Sequence, residues 1–435
     1  MLVKQNRYIH LRFCILLVLF VILLFMRYAF QINISKGTLT VFIAVIALTG
    51  NRNEILAVTM SCIPLHNAVD LFVSIGICMI AYILKNSKFI KVNSAAFITL
   101  LIITWEYIHC FNYGFSIKLF IVSIIPLVFL ALIMCTDMED IDYGFIVRTM
   151  AVVTAVVCIV MLSSLFIMAD FNIAEAFTGI RRLGVFSNDS KMQNLAVNPN
   201  SLGIVCLLSI TSLLQLRILE KSQKSDSLLI LILLVFGIMT ASRTFLICLI
   251  MMIVLLSIGM QVNTKKSIQF LISLSVLVII AAFILNRYFP NTIEYYIYRF
   301  QKDDITNGRD LLIQIYNNYI SNNMDVMFFG IGLTNYEDKI INICHIFNGV
   351  PHNAVHEIII AWGIIGIILF SIQCIVMIIQ SRKVCKQQTI LNYIPLFIIL
   401  LKSMAGQLLT SGYTMMALVL AYLSLCQNFK QTEQN

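Results

Sequence analysis

The chain has 435 residues, of which 60% are hydrophobic and 12% charged. A soluble globular protein of that size could not cover so many apolar residues with so few polar ones, so that class is excluded. The formal net charge of +9 does not require a nucleic-acid partner, because basic residues gathered in the cytoplasmic breaks of a membrane protein explain it, and no nucleic acid is expected.

Apolar stretches recur from Phe13 to the end, parted by short polar breaks. A hydrocarbon core needs roughly 20 apolar residues per helix, and backbone groups in lipid must bond internally. The runs are continuous, as in 228–239, rather than alternating as in a membrane β-barrel. The expected fold is an all-α polytopic membrane protein with about 12 to 14 transmembrane helices and one large extracytoplasmic loop containing short helices. The spans fall at 13–30, 38–50, 55–69, 71–85, 94–111, 116–136 and 145–168. They continue at 199–217, 227–241, 243–260, 267–286, 355–379, 390–404 and 413–428.

The first run follows Lys4, Arg7 and Arg12, as in a signal peptide, but Arg27-Tyr28-Ala29-Phe30 offers no small-residue cleavage site, so a retained helix is expected. The twelve cysteines are scattered, mostly within spans, without a CxxC, and read as small apolar packing residues. One alternating assignment puts Lys85, Lys88, Lys91, Arg217, Lys221, Lys224, Lys265, Lys266, Arg382, Lys383, Lys386 and Lys430 on a single side. The positive-inside rule makes that side cytoplasmic, with both termini inside.

Two long polar segments then lie outside, 170–198 and 287–354. The second is far longer than ordinary connections, and Leu311, Leu312, Ile315, Tyr316 and Tyr319 predict an amphipathic helix over 311–320 at the membrane surface. The chain divides into an N-terminal bundle (1–168), helices with arginine-bearing outer segments (169–286), the large loop (287–354) and C-terminal helices (355–435). No internal repeat supports a transporter built from inverted halves.

Four outer features could carry chemistry: Arg181-Arg182-Leu183-Gly184-Val185-Phe186 with Asn198-Pro199-Asn200, then Ser242-Arg243, then Asn307-Gly308-Arg309 with Gly330-Ile331-Gly332, and Pro351-His352-Asn353. Arg243, between two apolar helices, either snorkels to the interface or points into a cavity to hold an anion, for which a planar guanidinium fork suits phosphate. Loop arginines are usually solvated; the shared face of these four features favours an anion site. His352 and His356 are one helical turn apart beside Glu357, a spacing that can bind zinc, but the order HNAVHE is not HExxH and no metal is expected. A histidine at a helix mouth can act as a general base near neutral pH. Gly363 and Gly366 read as close-packing positions, Gly330 and Gly332 as turn residues.

Taken together, these residues resemble the O-antigen polymerase and ligase superfamily of bacterial membrane glycosyltransferases. Its signature is histidine, then Asn, Ser or Gln, nine residues, glycine, two residues and a small residue. His352-Asn353, residues 354–362, Gly363 and Gly366 fit without a gap. Arg182, Gly184, Phe186, Asn198, Pro199 and Asn200, then Ser242-Arg243 and Gly308-Arg309, follow in the family's order. The stretch 187–197 departs from the pattern as an insertion, and Arg181 and Arg182 compete for one role.

The resemblance implies inverting, metal-independent transfer from a polyprenyl-diphosphate-linked oligosaccharide, without a cofactor, at the outer face of the cytoplasmic membrane. In that scheme His352 is the base, and Arg243, Arg309 and one of Arg181 and Arg182 hold the diphosphate, supported by Asn353, Asn198, Asn200, His356 and Glu357. Polymerisation of repeat units into capsule, exopolysaccharide or O-antigen is the favoured reaction, with a chain-length regulator and a flippase as partners beside the membrane lipid. A ligase to a terminal acceptor is the alternative, and a flippase for the same substrates the competing class.

Overall fold

The computed structural model describes residues 2–114, 116–168, 183–184, 195, 197–219, 221–259, 264–301, 308–346 and 349–428. Among these residues there are eighteen α-helices. The N-terminal bundle comprises α1 (Leu2–Leu24), continued by a π-helical turn (Phe25–Ala29), then α2 (Lys36–Thr49), α3 (Arg52–Ser61), α4 (Leu71–Asn86), α5 (Ser94–Tyr113), α6 (Ile117–Met134) and α7 (Tyr143–Met168). The next group is α8 (Pro199–Ile218), α9 (Lys224–Met239), α10 (Arg243–Gly259) and α11 (Thr264–Tyr288). The large loop folds into α12 (Pro290–Gln301), α13 (Arg309–Asn322), α14 (Met324–Phe328) and α15 (Tyr336–Asn342). The chain then forms α16 (Ala354–Val384), α17 (Ile390–Ser403) and α18 (Gly412–Leu425).

A helix stands at each of the fourteen expected spans, and the chain is an all-α polytopic membrane protein. Among the described residues six helices are long and apolar enough to cross a membrane, or seven if α11 and α12, bent by 103° at their junction, count as one broken span. Five further apolar helices are shorter. The expected span 55–69 shows why length was overread. Its helix ends at Ser61 and the chain then runs through turns to Asp70. Pro64 lacks the N–H that a continued helix would need. Residues Glu54 to Ser61 of α3 are all buried, so this helix is an interior rod enclosed by its neighbours.

Capping residues start the helices where the sequence has them. Asn51 and Glu54 form a capping box on α3, and Asp70 and Asn93 cap α4 and α5. One hydrophobic core runs from Phe13 to Cys426, so early and late helices share a single interior.

The two ends of the bundle differ. At one, Arg12 pairs with Glu54 at 3.7 Å and Lys85 donates to the Gly50 carbonyl at 2.7 Å. Arg52 donates to the Glu139 carbonyl at 2.8 Å, and Arg148 pairs with Asp226 at 3.0 Å. These contacts join 50–53 and 137–142 to the breaks at 85–91 and 221–226, whose lysines the charge rule assigns to the cytoplasm. The starts of α2, α4, α8 and α18 and the end of α17 lie at the opposite end.

Candidate active site

At that opposite end, a cavity of about 810 Å³ opens among residues far apart in sequence. His352, Arg309, Asn198, Asn200 and Thr244 line it, and Lys36, His66, Asp70, Lys402 and Tyr413 face the same space.

Local structure explains each placement. Asn198 is the N-cap of α8, its side chain accepting from the Asn200 N–H, and Pro199 follows at the first helical position, where no N–H is needed. Gly184 lies against this turn with φ +99°, and a Cβ there would stand 2.5 Å from the Val197 carbonyl oxygen. Gly184 and Pro199 are therefore neighbours in space. Arg309 begins α13 directly after Gly308, which turns the chain in the left-handed region.

His352 stands one residue before the N-cap of α16. That cap, Asn353, accepts from the Val355 N–H at 2.9 Å and donates to the Met404 carbonyl at 3.2 Å. Glu357, fully buried, accepts from the backbone N–H groups of Leu408, Leu409 and Thr410 at 2.6, 3.0 and 2.8 Å, and from the Thr410 hydroxyl. A carboxylate held by several donors is a strong acceptor, so the segment after α17 that forms the far wall is fastened to the helix that presents His352.

Deeper in, α16 is interrupted. Gly363 has φ +68° and ψ −167°, and the Gly330-Ile331-Gly332 turn docks into the break. The N–H groups of Ile331 and Gly332 donate to the carbonyls of Ile360 and Ala361 at 2.8 and 2.7 Å. Buried Glu106 of α5 clasps both sides, accepting from Leu333 N, Thr334 N and Trp362 Nε1. Gly363 is thus a close-approach position, as the sequence reading expected, and the group that approaches it is Phe328 at the end of the short helix α14.

Among the described residues the site is electropositive: Lys36, Arg309 and Lys402 line it against a single carboxylate, Asp70. Burial pushes the His352 imidazole below its ordinary pKa, and the charges of Arg309 and then Lys402 push it the same way. Both effects favour the neutral ring that a general base needs near pH 7.

Of the residues singled out from sequence, His352, Arg309, Asn198 and Asn200 meet in the cavity. Arg243 is the half-buried first residue of α10; its neighbour Thr244 lines the cavity and Arg243 is not among the lining residues. Arg181 and Arg182 lie outside the described residues. Asn353 and Glu357 are fasteners of the walls. His356 points away, its Nε2 2.7 Å from Asn317 Oδ1 on α13, and it borders a narrow crevice with Arg309 and His352. Among the described residues no group of His, Cys, Asp and Glu is arranged to hold a metal ion.

Sequence reading missed the far wall. Lys402 is the only Lys, Arg, Asp or Glu between Lys386 and Lys430, inside an expected span. A charge in a span costs about 2.5–3.5 kcal/mol at its centre and less near its end, and by default marks function. His66, stacked on Tyr413 with centroids 5.0 Å apart, carried a weaker signal of the same kind.

No curated protein matches the chain. Residues 228–371, about a third of its length, match the family model described as O-antigen ligase. That segment contains Arg243, Arg309, His352 and the Gly363 break, and its match supports a likeness of the chain to the O-antigen polymerase and ligase superfamily.

Proposed function

We propose that the protein polymerises lipid-linked oligosaccharide repeat units by inverting glycosyl transfer from a polyprenyl-diphosphate donor at the outer face of the cytoplasmic membrane. The observation that carries the reading is the meeting of His352 and Arg309 in one electropositive cavity. In this scheme an imidazole nitrogen of His352 takes the proton of the acceptor hydroxyl. The hydroxyl oxygen attacks the anomeric carbon from the face opposite the diphosphate. The bond from that carbon to the diphosphate oxygen breaks, and the lipid diphosphate leaves with the electron pair. Arg309, joined by Arg243 and one of Arg181 and Arg182, stabilises the charge that grows on it, and preorganised cations act strongly where water is scarce.

The scheme uses no metal, and Glu357 suits a structural role because its oxygens already serve three backbone amides and a hydroxyl. The cavity lies at the end opposite the breaks rich in Lys and Arg, which supports an outward-facing site. A flippase that delivers units and a chain-length regulator are the proposed partners.

The matched description, O-antigen ligase, favours a second reading in which the acceptor is a terminal glycan rather than another lipid-linked unit. Purified protein supplied with a defined lipid-diphosphate oligosaccharide, with and without chelator, tests both. Polymerisation gives a ladder of lipid-linked multiples. A ligase gives product only when a separate terminal acceptor is added. Activity of His352→Ala equal to that of the unmodified chain would refute either form.

A further inference from the structure

Lys402 carries a buried charge that this transfer scheme leaves unused. Its side chain is 7% exposed at the end of α17 and lines the cavity with Arg309 and His352. The ammonium donates to the Gln407 carbonyl at 2.7 Å and the Thr414 hydroxyl at 2.8 Å, and lies over the Tyr413 ring at 4.9 Å. All of these partners are neutral. Among the described residues no carboxylate is within ion-pair distance of it. Asp70, the one acidic residue on the cavity wall among the described residues, instead accepts from the Val73 N–H as the cap of α4. A desolvated cation with neutral neighbours is stabilised most by an anion that brings its own charge into the cavity.

We propose that Lys402 binds the anion that occupies the cavity, a phosphate-type group, together with Arg309 across from it. This rests on the reading of the cavity as a lipid-diphosphate site and adds to it a contact from outside the family-matched segment. The two walls would then close on one ligand. The wall bearing His352 and Arg309 is matched to the family, whereas the wall bearing Lys402 lies outside the match and is hydrogen-bonded to it through Asn353 and Glu357.

The test is calorimetric titration of inorganic pyrophosphate into the full chain held in zwitterionic lipid nanodiscs. Lys402→Met should weaken binding roughly ten- to hundredfold, the range for losing one charge-assisted contact. Lys402→Arg should stay within a few-fold, since it keeps the charge. Thr414→Val removes a neutral partner of the ammonium and should also stay within a few-fold. Arg309→Gln should weaken binding independently of Lys402. Farnesyl diphosphate should displace pyrophosphate with the same dependence on Lys402.

If Arg309→Gln weakens binding and Lys402→Met does not, the inference falls and the diphosphate reading survives. If neither substitution matters, or the unmodified chain binds no pyrophosphate, both fall. Thr414→Val as damaging as Lys402→Met would make Lys402 a structural pin. Competition by phosphatidylglycerol nanodiscs, lost in Lys402→Met, would assign the lysine to bilayer headgroups and overturn the inference.

Discussion

His352 at the mouth of α16 and Arg309 at the first position of α13 line one cavity, and the guanidinium adds to burial in holding the imidazole below its usual pKa. The neutral base should therefore persist to more acidic pH than an ordinary histidine allows. Arg309→Gln removes one of the two cations that lower this pKa, so the acidic limb of the transfer rate should move to higher pH, besides any loss of donor affinity. A pH–rate profile of single turnover on a lipid-diphosphate oligosaccharide reads this. An acidic limb that stays put or moves down would dissociate the two residues.

Arg243 begins α10 beside cavity-lining Thr244. If its guanidinium grips the diphosphate, Arg243→Lys should lower transfer by about tenfold or more, since a point ammonium cannot reproduce the planar fork. Initial rates at saturating acceptor measure this. Near-normal rates would make Arg243 an interface anchor.

The break in α16 admits no side chain. A Cβ at Gly363 would stand 2.1 Å from the Phe328 carbonyl oxygen, at φ +68°. Gly363→Ala should lose about 1–3 kcal/mol to backbone strain alone, with the clash added to it. A lowered Tm of the detergent-purified protein is the expected sign. An unchanged Tm would mean that the loop at 328–332 is not seated there.

Glu357→Gln replaces a carboxylate that serves four donors by an amide with one acceptor oxygen and an N–H₂ group facing N–H groups. With at least one buried donor left unpaired, a cost of about 2–5 kcal/mol follows, and the cavity wall at 405–413 should loosen. Faster hydrogen exchange at Leu408–Thr410 checks this directly. Added zinc should not restore activity; rescue by zinc would instead make Glu357 a metal ligand.

What the sequence disclosed depended on how local the signal was. Apolar runs and caps such as Asn198-Pro199 and Asn353 are local, and they located helices at every expected span. Whether a helix spans or sits inside the bundle depends on its neighbours, so α3 was legible as a helix and not as an interior one. The His352 to Gly366 spacing pointed to one wall of the site. The reason for its glycine became visible only with Phe328 beside it. The opposite wall is assembled from α2, α4, α17 and α18, which share no contiguous motif. Lys402 could have been noticed as a lone charge among apolar residues, whereas nothing local links it to His352.

The most direct measurement is a structure of the protein with a non-transferable polyprenyl-diphosphate sugar bound. The phosphates should lie within hydrogen-bonding reach of Arg309, with the anomeric carbon on the side of the cavity that His352 faces. Phosphates bound at the end of the bundle that carries Lys85, Arg148 and Lys221, or a ligand remote from His352, would contradict the account.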